Sequence, residues 1–157
     1  MGAPFATSAP MVPSDPPPFS RAVPRRPRIL LVDDDPSVIR ALWRLIRRSR
    51  PNFQINTAGS TSQALSALAE LHYDAVITDL QMPGGGGEAV LEALVTHHPE
   101  TARIVHSSQL ESGGTDRVRA LSHAVLTKPT SEHALLKALD AALQGVAGRC
   151  SSCGSGS

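Results

Sequence analysis

Short apolar runs alternate along this chain with longer segments in which apolar residues recur every three or four positions. The first run, Ile29-Leu30-Leu31-Val32, ends in acidic residues and is typical of a strand buried on both faces of a parallel sheet. Pro36 then suits the first turn of a helix that has Asp35 as its N-cap and ends before Pro51. The same pattern predicts strands at Phe53–Thr57, Ala75–Thr78, Ala102–Ser107 and Ala124–Thr127, and helices at Ser60–Leu71, Glu88–His97, Thr115–Leu121 and Ser131–Gln144.

This alternation of strands and helices predicts the fold class. Strand–helix–strand units favour a parallel sheet that is covered by helices on both faces. We therefore expect an α/β fold with a doubly wound five-stranded parallel sheet in the flavodoxin-like order 2-1-3-4-5, together with five helices. In such a sheet the carboxyl ends of all strands lie at one edge, which is where α/β proteins bind ligands.

The composition changes along the chain and predicts three parts. Residues 1–27 hold eight of the thirteen prolines and little that could form a core, so we expect a disordered Pro-rich extension. Residues 28–146 carry the strand and helix pattern and form the predicted domain. Residues 147–157 are predicted to be a flexible Gly/Ser/Cys tail, because Cys150 and Cys153 supply only two of the four ligands of a structural zinc site.

Overall composition excludes several classes of protein. The chain has 157 residues, of which 41% are hydrophobic and 3% aromatic, and its net charge of +1 argues against a nucleic-acid partner held by bulk charge. No apolar stretch reaches membrane-spanning length and no secretory signal is present, so we expect a cytoplasmic protein without a membrane partner. The six histidines have no metal-ligand spacing, and His97, His98 and His106 are expected to be ordinary surface or strand-edge residues.

Polar side chains follow four of the predicted strands. Asp33 and Asp34 follow the first strand, Asp79 the third, Ser107 ends the fourth, and Lys128 follows the fifth. Converging carboxylates repel each other and favour a hard divalent cation such as Mg²⁺, and a carboxylate oxygen can attack phosphorus to give an aspartyl-phosphate. Taken singly, each of these residues has an ordinary structural role, since a strand-end Asp is often only an N-cap. The joint pattern indicates a phosphoryl site.

Four segments carry a resemblance to a known family. In order and spacing they resemble the motifs of response-regulator receiver domains of the CheY-like type, over roughly residues 27–146. The resemblance implies a stand-alone, single-domain response regulator, which is a signalling domain and not a classical enzyme. The four segments are Ile29-Leu30-Leu31-Val32-Asp33-Asp34-Asp35-Pro36, Thr78-Asp79-Leu80-Gln81-Met82-Pro83, Ile104-Val105-His106-Ser107 and Leu126-Thr127-Lys128-Pro129.

The resemblance also implies partners and residue roles. Asp79 would accept a phosphoryl group from a sensor histidine kinase or a phosphotransfer protein, and an unknown downstream protein target would read the result. Mg²⁺ (or Mn²⁺) would be held by Asp33, Asp34, Asp79 and the backbone carbonyl of Gln81. The remaining implied roles are phosphoryl binding by Ser107 and Lys128, a cis peptide bond before Pro129, and control of the phosphoryl lifetime by Gln81 and Gln109.

The sequence departs from the receiver pattern where the signal would leave the domain. Receivers usually carry Phe or Tyr three residues before the lysine, and here that switch position is Val125, which has no ring to swing. Gly84-Gly85-Gly86-Gly87 predicts a mobile loop, and Gly113-Gly114 predicts that the fourth helix is short. We therefore expect output through the region 107–125 rather than through a ring flip.

Two alternatives remain open at this point. Asp33-x-Asp35-x-Ser37 also resembles the nucleophile motif of HAD-type phosphatases, in which Asp33 would be the nucleophile. That assignment gives Asp79 no role. Such phosphatases also need an acidic pair for the metal later in the sequence, and no residues after Lys128 supply it. The other alternative is a non-phosphorylated interaction scaffold with the receiver fold, which the replacement at Val125 keeps open.

Overall fold

The computed structural model describes residues 26–82, 86–108 and 115–156. The Pro-rich segment up to residue 25 lies outside the described residues, as do 83–85, 109–114 and 157. The strands are β1 (Arg28–Val32), β2 (Gln54–Ala58), β3 (Ala75–Thr78), β4 (Ala102–Ser107) and β5 (Ala124–Thr127). The helices are α1 (Pro36–Ser49), α2 (Thr61–Glu70), α3 (Gly86–His97), α4 (Thr115–Leu121) and α5 (Glu132–Gly156).

The five strands form one parallel sheet in the order β2-β1-β3-β4-β5, so the predicted fold class and strand order are confirmed. Each strand has residues on both faces of the sheet. In β1, Ile29 and Leu31 pack with α1 and α5, whereas Leu30 and Val32 pack with α2 and α3. A smaller cluster joins Leu91, Val105 and Val118 between α3, β4 and α4.

Local side-chain contacts set the beginnings of the helices. The Asp35 carboxylate accepts from the Ser37 N–H at 2.9 Å, and Pro36 occupies the first turn of α1, as predicted. The Ser60 hydroxyl accepts from the Gln63 N–H at 3.1 Å and starts α2. The Ser131 hydroxyl accepts from the Ala134 N–H at 3.1 Å, so Ser131 caps α5 instead of forming its first residue.

The last helix is longer than the sequence indicated. Its end was predicted at Gln144, but α5 continues to Gly156 and includes residues 147–156 of the segment that was expected to be a flexible tail. The predicted end is therefore wrong. Glycines at 145 and 148 lower helix propensity by about 1 kcal/mol each without blocking the helix, and no proline follows to stop it.

Candidate functional site

Neighbouring strands bring the predicted acidic residues together. β1 and β3 pair with Val32 opposite Thr78, and the Asp79 N–H donates to the Val32 carbonyl at 2.9 Å. Asp33 and Asp79 therefore lie side by side at the carboxyl edge of the sheet. One carboxylate oxygen from each of Asp33, Asp34 and Asp79 lies within 4.8 Å of the others. Asp33 and Asp79 are buried, whereas Asp34 is exposed.

Lys128 enters this acidic cluster from the end of β5. Its ammonium nitrogen lies 2.8 Å from Asp33 Oδ2 and 3.3 Å from Asp79 Oδ2. Its backbone N–H donates to the Ser107 carbonyl at 2.9 Å, which ties the lysine to the end of β4. The ends of β1, β3, β4 and β5 thus all contribute to one site.

Two backbone amides hold the remaining oxygens of the buried carboxylates. The Asp35 N–H donates to Asp33 Oδ1 at 2.9 Å, and the Gln81 N–H donates to Asp79 Oδ1 at 3.2 Å. Each of these carboxylates therefore has one oxygen held by the backbone and one directed to Lys128. This arrangement fixes both rotamers, since turning either carboxylate would break two hydrogen bonds.

Burial and charge act in opposite directions on this pair. Burial raises the pKa of Asp33, and the hydrogen bonds from Lys128 and the Asp35 N–H lower it only in part. Burial alone would lower the pKa of Lys128, but its hydrogen bond to Asp33 and the charges of Asp33 and Asp79 outweigh burial and raise it. The lysine is thus firmly charged, and one ammonium does not fully offset the cost of burying Asp33.

The donor set fits a hard divalent cation. Three carboxylates against one ammonium leave two net negative charges at the site. Mg²⁺ prefers oxygen ligands and commonly keeps several waters, and exposed Asp34 gives the cluster an open side. Asp33, Asp34 and Asp79 are the residues that would hold the ion, and the part of Gln81 as a ligand through its carbonyl stays a prediction.

Two glycines in the first turn of α3 pack against the backbone that carries Asp79. Gly86 has φ = 67°, which favours glycine, and a Cβ there would clash with the Leu80 carbonyl oxygen. A Cβ at Gly87 would clash with the carbonyl oxygen of Asp79, and the Gly87 N–H donates to the Leu80 carbonyl at 3.1 Å. The sequence indicated only a loose loop here, whereas the structure shows a close contact with the candidate site.

The other predicted site residues lie at or near the same edge. Ser107 is fully buried at the end of β4, and the peptide bond between Lys128 and Pro129 is cis, as the resemblance implied. Val125 is half-buried in β5 and packs beside the cluster of Leu91, Val105 and Val118. Gln81 is exposed, and Gln109 lies outside the described residues.

The expectation for His106 is wrong. It was taken as an ordinary strand-edge residue, but it is only 6% exposed. Because β4 lies between β3 and β5, its carboxyl end is inside the sheet, where His106 lines a cavity together with α1 and the loop after β5. The predicted strand order already placed β4 inside the sheet, and it was the signal from which the burial of His106 could have been expected.

Comparison with known families identifies the protein family to which this chain belongs. Residues 29–140 match the model of the response regulator receiver domain family. The chain belongs to that family. It is thus a receiver domain of two-component, phosphorylation-mediated signalling, as the motifs at its strand ends indicated.

Several named relatives are similar to this receiver domain. The DNA-binding response regulator MtrA of Mycolicibacterium smegmatis is 38% identical over 103 residues, covering 59% of this chain and 43% of MtrA. The transcriptional regulatory protein GlrR of Escherichia coli is 32% identical over 121 residues, covering 74% of this chain and 26% of GlrR. The chain thus spans less than half the length of these two relatives.

Solved receiver structures are also similar. A signal receiver domain of an HD domain-containing protein from Pseudomonas fluorescens has a TM-score of 0.72 and 28% identity, covering 82% of this chain and 95% of that one. A CheY-like receiver from Methanospirillum hungatei has a TM-score of 0.73 at 19% identity, with 80% and 99% covered, and supports the fold alone. Within the described ranges, no helix is both long and apolar enough to span a membrane.

The contact of Gly87 with Asp79 predicts a large effect of one methyl group. Gly87→Ala should lower the free energy of unfolding by about 1–3 kcal/mol, because the new Cβ has to displace the backbone at Asp79. Gly145→Ala is the matched control, since a Cβ at Gly145 meets nothing within 4 Å and should raise stability by up to about 1 kcal/mol. Urea unfolding measures both changes. Equal stability of Gly87→Ala and the wild type would show that the close contact is absent in solution.

The raised pKa of Asp33 predicts a stability cost at neutral pH. A carboxyl whose pKa is higher in the folded than in the unfolded protein contributes stability below the unfolded pKa, and that contribution is lost as pH rises through the folded pKa. Asp33→Asn should therefore stabilise the protein at pH 7 in EDTA, and it should reduce the gain in stability that is expected for the wild type on addition of Mg²⁺. Asp35→Asn is the control, because Asp35 is exposed and Asn is an equally good N-cap. Loss of stability in Asp33→Asn at neutral pH would contradict the direction of the shift.

Proposed function

We propose that Asp79 is the phosphoacceptor of this receiver domain and that Mg²⁺ (or Mn²⁺) bound at Asp33, Asp34 and Asp79 supports the transfer. The observation that carries this proposal is the cluster of these three carboxylates with the Lys128 ammonium at one sheet edge. The chemistry needs a carboxylate nucleophile together with positive charge for the phosphoryl oxygens, and both are within reach here.

The hydrogen bonds support Asp79 over Asp33 as the nucleophile. Asp33 Oδ2 has the shorter contact with Lys128, at 2.8 Å, and Asp33 Oδ1 is held by the Asp35 amide. Asp79 Oδ2 has only the longer, 3.3 Å contact with Lys128. Breaking that contact so that Oδ2 can attack phosphorus should cost less free energy than breaking the contact of Asp33. On transfer, the bond between phosphorus and the donor nitrogen breaks as the bond to Asp79 forms, and Lys128 remains beside the new phosphoryl oxygens.

The proposed donor is a phosphohistidine of a sensor histidine kinase or of a phosphotransfer protein. Ser107 would donate its hydroxyl to a phosphoryl oxygen, since it ends the strand beside the one that carries Lys128. MtrA is named as DNA-binding, and this chain spans 43% of it. For the domain itself we propose a protein as the downstream partner and no nucleic acid, since its net charge is only +1. The domain would act in the cytoplasm as a phosphorylated signal rather than as a classical enzyme.

The proposed output surface is the region 107–125. Val125 packs against β4 and α4 but has no ring that could move between two positions. α4 also contacts α3 through Arg117, which forms ion pairs with Glu88 and Glu92. Glu88 follows Gly87, whose N–H is bonded to the chain beside Asp79. Movement of the Asp79 loop therefore has a route to α4 through the start of α3.

Phosphorylation by acetyl phosphate and Mg²⁺ tests the assignment of Asp79. Wild-type protein should gain the mass of one phosphoryl group, and Asp79→Asn should gain none, while exposed Asp116→Asn serves as the matched control and should behave as wild type. Intact-mass spectrometry measures the gain. Label that persists in Asp79→Asn and disappears in Asp33→Asn would support the phosphatase alternative, and no gain in the wild type would favour the scaffold.

Hydrogen exchange tests the proposed output route. Addition of beryllofluoride with Mg²⁺ should change amide exchange between residues 107 and 122, because the Asp79 loop and α4 are linked through α3. The amides of α5 between residues 135 and 144 should change little, since α5 packs on the face of the sheet opposite α3 and α4. Mass spectrometry of peptides from both regions reports the difference. Unchanged exchange across 107–122 in beryllofluoride-bound protein would rule out this route.

A further inference from the structure

A cavity of about 540 Å³ lies between α1 and the ends of β4 and β5, beside the acidic site. One wall is formed by the α1 residues Val38, Ala41, Leu42 and Leu45, and the opposite wall includes His106, Lys128 and Thr130. Small-molecule sites in proteins typically have volumes of about 300–1,000 Å³ and mostly apolar linings with a few polar groups. This cavity has both properties.

The cavity exists because its two walls do not fill the space between them. Val38 and Leu45 are only half-buried although they lie on the apolar side of α1. On the same face of β4, fully buried Ile104 belongs to the core, but the next residue on that face is His106. Thr130, just past the cis peptide bond, is also short and half-buried. The described residues that line the cavity opposite α1 are His106, Ser108, Lys128, Pro129 and Thr130, and Pro129 alone among these five is apolar.

His106 is the polar group that distinguishes this cavity from a bare apolar groove. It is 94% buried, being 6% exposed, and its Nδ1 finds no hydrogen-bond partner among the described residues. Burial lowers the pKa of His106, the Lys128 ammonium lowers it further, and Asp79 opposes both, so the ring is neutral at pH 7. Leaving a neutral imidazole nitrogen buried and unpaired costs free energy that a ligand hydrogen bond would recover.

We propose that this cavity binds a small, planar, mostly apolar molecule that places one hydrogen-bonding group against the imidazole of His106. The volume and the apolar α1 wall favour a ring system, and the unpaired nitrogen favours a single polar group. Lys128 forms part of the wall and also bonds to Asp33 and Asp79, so the bound molecule would adjoin the acidic site. The inference does not rest on the phosphorylation of Asp79.

Indole and indene are matched probes for this proposal. They have nearly the same planar shape, but only indole carries an N–H group. In ¹H–¹⁵N correlation spectra, indole should saturably shift the amide resonances of α1 and of residues 106, 128 and 130. Indole should bind about tenfold more tightly than indene, as expected for one hydrogen bond to a buried partner. Absence of saturable binding by either probe in the low millimolar range would overturn the proposal.

Variants in both walls separate the cavity from nonspecific binding. Ala41→Phe and Thr130→Phe fill the space from opposite sides and should each weaken indole binding at least tenfold. Ala120→Phe, at an exposed position of α4 on the other face of the sheet, is the control and should bind as wild type. His106→Leu should bind indole and indene equally. Binding that survives both filling variants, or an indole preference that survives in folded His106→Leu, would contradict the assignment.

Discussion

The ammonium of Lys128 between Asp33 and Asp79 is the interaction on which the candidate site depends. Two buried carboxylates at adjacent strand ends repel each other, and the lysine keeps them together at 2.8 and 3.3 Å from its nitrogen. The compensation is incomplete, since the pKa of Asp33 stays raised and Asp34 adds a further charge. The site is therefore short of positive charge. A bound Mg²⁺ ion would supply that charge both to the carboxylates and to a phosphoryl group.

The backbone holds this charged cluster in place. Parallel pairing of β1 with β3 sets the two aspartates side by side, and amides at residues 35 and 81 fix one oxygen of each. Gly86 and Gly87 then allow the start of α3 to approach the carbonyl groups of Leu80 and Asp79. Rigidity at the acidic edge and close packing of α3 against it mean that a change in charge at Asp79 acts on a helix as well as on a side chain.

The alternation of strands and helices predicted a parallel sheet, and the strand order was expected by analogy with flavodoxin-like folds. That order brings the acidic residues after β1 and β3 together with Lys128. The bounds of β3, β4 and β5 were predicted correctly because each strand is a short apolar run. The contacts of Gly86 and Gly87 could not be predicted, since they depend on how closely α3 approaches the backbone after β3. The end of α5 was missed because the glycines there weaken a helix without stopping it.

Val125 and His106 lie in adjacent strands and on opposite faces of the sheet. Val125 packs with α3 and α4, where it leaves no ring to report on the acidic site. His106 faces α1, where it leaves a cavity that Lys128 also lines. Because Lys128 contacts both the acidic cluster and this cavity, it links the acidic site to the α1 face as directly as α3 links that site to α4. The proposed receiver would thus have two routes out of one acidic edge, and neither would require an aromatic switch.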